Sequence, residues 1–215
     1  MPNPSVLAFV DTHGAVSSEL KRKIRKEKPD AVVCAGDFTI FSREMEKKLR
    51  EISKLHKKVF LVHGNHEHRG EVALLCKKYN VRFIHQKVVM FGKIVFVGYG
   101  GGGFAQRDPT LEEWTTEIKK KVRAYKKKGK SIFVVAHAPF YKTALDKLYG
   151  SYLGSKSLRK LILAVKADFA VCGHFHENAG KEDKIRQCRV LNPGAKGLMV
   201  SLREPGEGHR DSVRD

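Results

Sequence analysis

The sequence at residues 59–67 is Val-Phe-Leu-Val-His-Gly-Asn-His-Glu, an apolar run that breaks directly into a polar loop. A short run of β-branched and aromatic residues that stops at Gly64-Asn65 predicts a buried strand ending in a tight turn. Asn65 offers a side-chain oxygen to a metal ion, and His66 can hold or donate a proton near neutral pH. The tetrapeptide 64–67 is also an ordinary turn, so its weight depends on the rest of the chain.

The same layout recurs at four other apolar runs. Residues 6–10 are followed by Asp11-Thr12-His13, residues 31–35 by Gly36-Asp37, residues 132–136 by His137, and residues 169–172 by Gly173-His174-Phe175-His176. In a layered β/α fold, the loops at the carboxyl ends of the strands line a common crevice. We therefore expect these five segments to converge on one site.

The residues in these loops share one coordination chemistry. They supply two aspartates, one amide and several histidines, with no thiolate. Such a set suits manganese, iron, nickel or zinc better than calcium. Each motif alone has an ordinary explanation as a turn or a hydrogen-bonded loop. Five of them, each at a strand end, predict a metal site.

The segments between the predicted strands have apolar residues at helical spacing. Val16, Leu20 and Ile24 predict an amphipathic helix over about 16–28. A second helix carries Met45 to Ile52, with Ser42 as its expected N-cap. Further helices are expected over 72–79, from a capping box at Thr110-Leu-Glu-Glu113 onward, and over 158–165.

The middle of the chain has a different pattern. Residues 81–84, 87–91 and 93–97 are short apolar runs that predict an antiparallel meander with a turn at Gly92. The glycine run Gly100 to Gly103 predicts a mobile loop, either a lid over substrate or a plain connector. Residues 189–191 and 198–202 predict closing strands.

Length and charge limit the classes of protein. The chain has 215 residues, with 42 Lys+Arg against 23 Asp+Glu and a net charge of +19. That excess attracts phosphate-bearing partners, including nucleic acid. The alternative is a lysine-rich solvated surface, because the basic residues cluster at 21–28 and 119–130 without interleaved aromatics.

The remaining features predict a cytoplasmic protein without a membrane segment. No apolar run approaches the roughly 20 residues that span a bilayer, and residues 1–10 lack a secretory pattern. The four scattered cysteines predict reduced core thiols. We expect one domain over 1–202 and a disordered polar tail over 203–215.

These motifs resemble the signature of the calcineurin-like metallophosphoesterases, over residues 5 to 202. The compact size and Asn192-Pro193-Gly194 are similar to the small prokaryotic phosphodiesterase branch of that family. The resemblance implies an α/β fold, a four-layer α-β-β-α sandwich of two mixed sheets flanked by helices.

The resemblance also implies roles for matching residues. Two divalent transition-metal ions would share Asp37, with manganese first and iron, nickel or zinc as alternatives. Asp11, His13 and His176 would complete one site, and Asn65, His137 and His174 the other. His66 would face the phosphate and stabilise or protonate the leaving oxygen, while a water or hydroxide between the ions attacks phosphorus. Glu67, where many relatives have Asp, carries no expectation.

The expected function is hydrolysis of phosphodiesters, with phosphomonoesters and nucleic acid as further substrate classes. The alternative from another class is a non-catalytic interaction scaffold on the same fold. The oligomeric state stays open, with a dimer among the options. His63 and His68 are expected to be loop residues beside the pocket, and His56, His85 and His209 surface residues.

Overall fold

The computed structural model describes residues 4–202. Its elements are, in chain order, β1 (Ser5–Phe9), α1 (Ser18–Glu27), β2 (Ala31–Cys34), α2 (Met45–Ser53), β3 (Val59–Leu61), α3 (Arg69–Lys78), β4 (Arg82–Phe83), β5 (Lys87–Phe91), β6 (Ile94–Tyr99), α4 (Pro109–Lys127), β7 (Ser131–Ala136), β8 (Lys147–Leu148), β9 (Ser151–Tyr152), α5 (Lys156–Val165), β10 (Phe169–Val171), β11 (Glu182–Ile185), β12 (Cys188–Leu191) and β13 (Leu198–Ser201). The expected tail over 203–215, with His209, lies outside the described residues.

Most of these strands form two mixed sheets. The first has the order β13-β1-β2-β3-β4, in which only β13 is antiparallel to its neighbour. The second has the order β11-β12-β10-β7-β6-β5, with parallel central strands and antiparallel edges. Strands β8 and β9 form a separate hairpin.

The central strands are apolar throughout because both faces of each sheet are covered. In β1, Val6 and Ala8 lie in the core between the sheets, whereas Leu7 and Phe9 pack in the core beneath the helices. Across the sheet interface, the rings of Phe60 and Phe96 have centroids 4.4 Å apart. This packing joins the sheets face to face.

Helices cover the two outer faces. The buried side chains of α1, α2 and α3 pack on the first sheet, and those of α4 and α5 on the second. The expected four-layer α-β-β-α sandwich is confirmed. Within residues 4–202, no helix is long and apolar enough to cross a membrane.

Two expected helix starts are wrong. Ser42 does not cap α2: Glu44 holds the N-cap position, and the Ser42 hydroxyl donates to the backbone carbonyl of His66. Thr110 does not open α4, because Asp108 accepts a hydrogen bond from Leu111 N at 3.1 Å and so caps the helix two residues earlier. Pro109 fits directly after that cap, since a first-turn residue needs no N–H partner.

The predicted antiparallel meander is correct only for its second half. Strands β5 and β6 form an antiparallel hairpin, but β4 pairs in parallel with β3 in the other sheet. The intervening helix α3 explains the difference, because a strand–helix–strand crossover returns the chain parallel to the first strand. The polar strand β11 has no apolar run, as suits an edge strand, and the sequence did not reveal it.

We predict that the four cysteines are inert in the native protein. All are buried and unpaired. Burial raises the pKa of Cys76 and Cys188 to about 12 and raises the pKa of Cys34 and Cys172 well above the usual range, so little reactive thiolate forms. A colorimetric thiol reagent at pH 8 should label the native protein slowly and four thiols after denaturation. Rapid native labelling, or fewer than four thiols without reductant, would contradict this.

Candidate metal centre

The polar residues predicted as ligands all follow parallel strands at their carboxyl ends. Asp11, Asp37 and Asn65 come after strands β1, β2 and β3 of the first sheet. His137 and the segment His174–His176 come after β7 and β10 of the second sheet. The site is therefore assembled from both sheets, at the carboxyl ends of their strands.

One group of potential ligands contains Asp11, His13 and His176, whose nearest donor atoms lie within 4.8 Å of one another. The Nε2 atoms of the two histidines are 2.9 Å apart. Nε2 of His176 is 4.0 Å from Oδ2 of Asp11.

A second group contains Asp37, His137 and His174. Oδ2 of Asp37 is 3.3 Å from Nε2 of His137. Asn65 belongs with this group, because its Oδ1 lies 2.9 Å from Nε2 of His137 and 2.8 Å from Nδ1 of His174. Asp37 also clusters with His13 and His66, so it stands between the two groups.

Each of the two site carboxylates has one oxygen held by a backbone N–H. Oδ2 of Asp11 accepts from His174 N, and Oδ1 of Asp37 accepts from His66 N, each at 2.9 Å. The remaining oxygen of Asp11, Oδ1, is buried without a hydrogen-bond partner among residues 4–202. Burial raises the pKa of Asp11 to about 6. A buried acceptor without a donor, beside several imidazoles, fits a bound divalent cation.

The outer ring nitrogens of two histidines are held by backbone carbonyls. Nδ1 of His13 is 3.3 Å from Thr39 O, and Nδ1 of His137 is 3.0 Å from Ala35 O. Because a carbonyl only accepts, each Nδ1 carries the proton and each Nε2 presents a lone pair to the site. This orientation is typical of metal-binding histidines.

His66 has the opposite tautomer. The backbone N–H of Phe41 donates to Nδ1 of His66 at 3.2 Å. The proton of a neutral His66 ring is therefore on Nε2, which lies 3.8 Å from Oδ2 of Asp37. His66 thus presents an N–H donor to the site rather than a lone pair.

Several of these residues have left-handed backbone conformations. The φ angles are 55° at Asp11, 42° at His13, 48° at Asp37 and 71° at His174. Asp and His tolerate this region better than most residues, but it still costs about 1–2 kcal/mol each. Strain of this kind is found where the surrounding structure holds a functional side chain in place.

Glu67 is an organising residue that sequence reasoning missed. It is only 6% exposed. Its carboxylate accepts from Asp37 N at 3.0 Å, Gly64 N at 2.8 Å, and Thr39 N and Oγ1 at 2.9 and 2.8 Å. These bonds tie the loop after β2 to the loop after β3. In the sequence, its place directly after His66 indicated that it lies near the site but not that it organises the loops.

Asn192 is a second organising residue, whose turn motif was visible in the sequence but whose contacts were not. Its side-chain amide donates to Phe175 O at 3.1 Å, and its Oδ1 accepts from Gly194 N at 3.1 Å. Gly194 O in turn accepts from Val10 N at 3.1 Å. The Asn-Pro-Gly turn therefore connects the loop of His174 and His176 to the end of β1.

The other histidines differ partly from expectation. His85 is buried, not a surface residue, because Gly100 N donates to its Nδ1 at 2.9 Å and its ring packs against His63. Burial lowers the pKa of His63 to about 3 and that of His85 to about 4. His68 is exposed at the start of α3.

The sequence matches the calcineurin-like phosphoesterase family over residues 5–178. An uncharacterised protein of Methanocaldococcus jannaschii is 33% identical over 202 residues, which cover 91% of this chain and 90% of that protein.

Solved structures share the fold. The protein TT1561 of Thermus thermophilus superposes with a TM-score of 0.69 at 15% identity, covering 94% of this chain and 100% of that one. A dimetal phosphatase of Danio rerio has a TM-score of 0.67 at 12% identity, covering 94% and 93%. The phosphopantetheinyl hydrolase of Mycobacterium tuberculosis has a TM-score of 0.63 at 15% identity, covering 97% and 99%.

We predict that Glu67→Gln destabilises the protein by about 1–3 kcal/mol, because an amide NH₂ would face donors that now have an acceptor. Urea unfolding followed by the fluorescence of Trp114, the single tryptophan, measures this. Glu71→Gln is the matched control, since Glu71 is exposed on α3. Equal stability of the two variants would contradict an organising role for Glu67.

Proposed function

This chain belongs to the calcineurin-like phosphoesterase family, and we propose that it is a metal-dependent hydrolase of phosphodiesters. The observation that carries the proposal is the pair of ligand groups around Asp37, with the Nε2–H of His66 directed into the same space. That a protein of similar fold from Danio rerio is a dimetal phosphatase supports a centre with two ions.

The proposed ligands are divided between two ions that share Asp37. One ion takes Asp11, His13 and His176, and the other takes Asn65, His137 and His174. When bound, the ions supply positive charge for the phosphate and acidify the attacking water. Manganese is the first choice, and iron, nickel or zinc suit the same nitrogen and oxygen donors.

His66 acts on the leaving oxygen through Nε2. The hydrogen bond from Phe41 N keeps Nδ1 as an acceptor, so the neutral ring offers one N–H to the site. Complete transfer of that proton would first need a second proton on Nδ1, which would break the bond from Phe41. We therefore assign His66 as a hydrogen-bond donor that stabilises charge developing on the leaving oxygen, an effect typically worth 100-fold or more.

A nuclease is a specific form of this proposal, favoured by the net charge of +19. The basic cluster at 119–130 lies on the second half of α4 and in the turn that leads to the amino end of β7. His137 follows the carboxyl end of β7, so the cluster is at the far end of the strand from the site. Its position favours the solvated-surface explanation of the charge.

We predict metal-dependent hydrolysis that relies on His66. The protein should hydrolyse bis(p-nitrophenyl) phosphate faster than p-nitrophenyl phosphate when manganese is added, and chelator should stop the reaction. His66→Ala should lower kcat/KM about 100-fold or more, because the donor to the leaving oxygen is lost. Release of p-nitrophenol measures each rate.

His56→Ala is the matched control, because His56 lies at the opposite end of β3 and should leave the rate unchanged. A preference for the monoester would overturn the diester assignment and keep the mechanism. No turnover with manganese, iron, nickel or zinc in folded protein would overturn the enzyme proposal in favour of a scaffold.

We also predict a metal content of two ions per chain. Elemental analysis after dialysis should find about two ions per chain, about one in His176→Ala, and fewer than one in Asp37→Asn, because Asp37 serves both ions. If the two variants lost the same amount of metal, the result would argue against an aspartate shared by both ions.

A further inference from the structure

Phe41 has a solvent-exposed aromatic side chain beside His66, the proposed hydrogen-bond donor to the leaving group. It is 75% exposed, and its ring centroid lies 4.5 Å from that of His66. The φ angle of Phe41 is 48° and that of Ser42 is 60°. A positive φ is uncommon for a bulky residue.

The loop after β2 is held in this conformation by His66. Phe41 N donates to Nδ1 of His66, and Ser42 N and Oγ both donate to the His66 carbonyl, the former at 2.8 Å. These bonds compensate the backbone strain without burying the Phe41 ring. The outcome of this arrangement is an exposed aromatic face beside the His66 ring.

Phe104 is a second exposed ring, on the other ligand group. It is 73% exposed, and its centroid lies 5.0 Å from that of His174. The glycine run before it is anchored, because Gly101 N donates to His63 O at 2.8 Å and a side chain at Gly100 would collide with that carbonyl. Because these glycines pack closely against His63, the chain places Phe104 beside His174.

The two rings therefore stand at different parts of the centre. Phe41 contacts His66, which clusters with His13 and Asp37, whereas Phe104 contacts a member of the group formed by Asp37, His137 and His174. A phosphodiester has two organic arms, one leaving and one retained, while a monoester has only the leaving arm. Two exposed aromatic faces match two arms.

We propose that Phe41 binds the leaving arm and Phe104 the retained arm of a phosphodiester that carries a planar aromatic group on each side, as a dinucleotide does. This inference rests on the proposed function. Stacking on such faces tolerates any planar group. It assigns two specificity-determining residues outside the ligand set and predicts a preference for diesters.

Two diesters with the same leaving group test the assignment. Bis(p-nitrophenyl) phosphate has an aromatic retained arm, and methyl p-nitrophenyl phosphate has a methyl group there. Phe41→Ala should lower kcat/KM for both about 5- to 100-fold, whereas Phe104→Ala should do so only for the first. Phe41→Tyr and Phe104→Tyr, which keep the ring, should restore the rates.

Met90→Ala is the control, since Met90 is 54% exposed on the edge strand β5 and outside the site. Metal-dependent turnover that is equal in Phe41→Ala, Phe104→Ala and Met90→Ala would overturn the inference while leaving the proposed function intact.

A binding measurement separates the two proposals if no turnover is found. Diphenylphosphinate and dimethylphosphinate are tetrahedral anions with two arms and no ester bond to cleave. Calorimetric titration of the manganese-loaded protein should show tighter binding of the diphenyl compound, and each Phe→Ala variant should reduce the difference. Equal affinity for the two anions would overturn the aromatic-arm assignment.

Discussion

The packing of the two sheets against each other is the constraint on which the site depends. Four of the proposed ligands follow strands of the first sheet (Asp11, His13, Asp37 and Asn65), and three follow strands of the second (His137, His174 and His176). Their relative positions are set by the buried side chains between the sheets, such as Phe60 and Phe96. Because a close-packed interior deforms little, this core holds donor atoms from distant parts of the chain within a few ångströms of one another.

Hydrogen bonds between side chains and the backbone adjust the positions of the ligand-bearing loops locally. Glu67 and Asn192 each connect two of the loops that carry ligands. Left-handed backbone conformations bring further side chains into the site, at Asp11, His13, Asp37 and His174. Conformations that are individually unfavourable persist because buried hydrogen bonds support them. The strained loops and the ligand groups are parts of one structure, so stability and function are coupled at this edge of the sandwich.

The ligand groups and the exposed aromatic rings beside them have different structural origins. The ligand groups lie at strand ends, so their arrangement depends on the rigid sheets. The exposed rings of Phe41 and Phe104 are on loops, which can change without disturbing the sheets. Solved structures that share this fold at 12–15% identity show that the sheets tolerate extensive sequence change.

The sequence alone determined most strands and helices and the set of polar residues at the strand ends, because burial and periodicity are local properties of the chain. The four-layer fold class followed from the resemblance of its motifs to a known family. The sequence placed two helix caps and one strand wrongly, since Asp108 competes with Thr110 as a cap and β4 pairs across a helical crossover. It also gave no sign that Glu67 accepts four hydrogen bonds, that His85 is buried, or that Phe41 faces His66. Only the tertiary structure decided these points, because each depends on contacts between residues far apart in the chain.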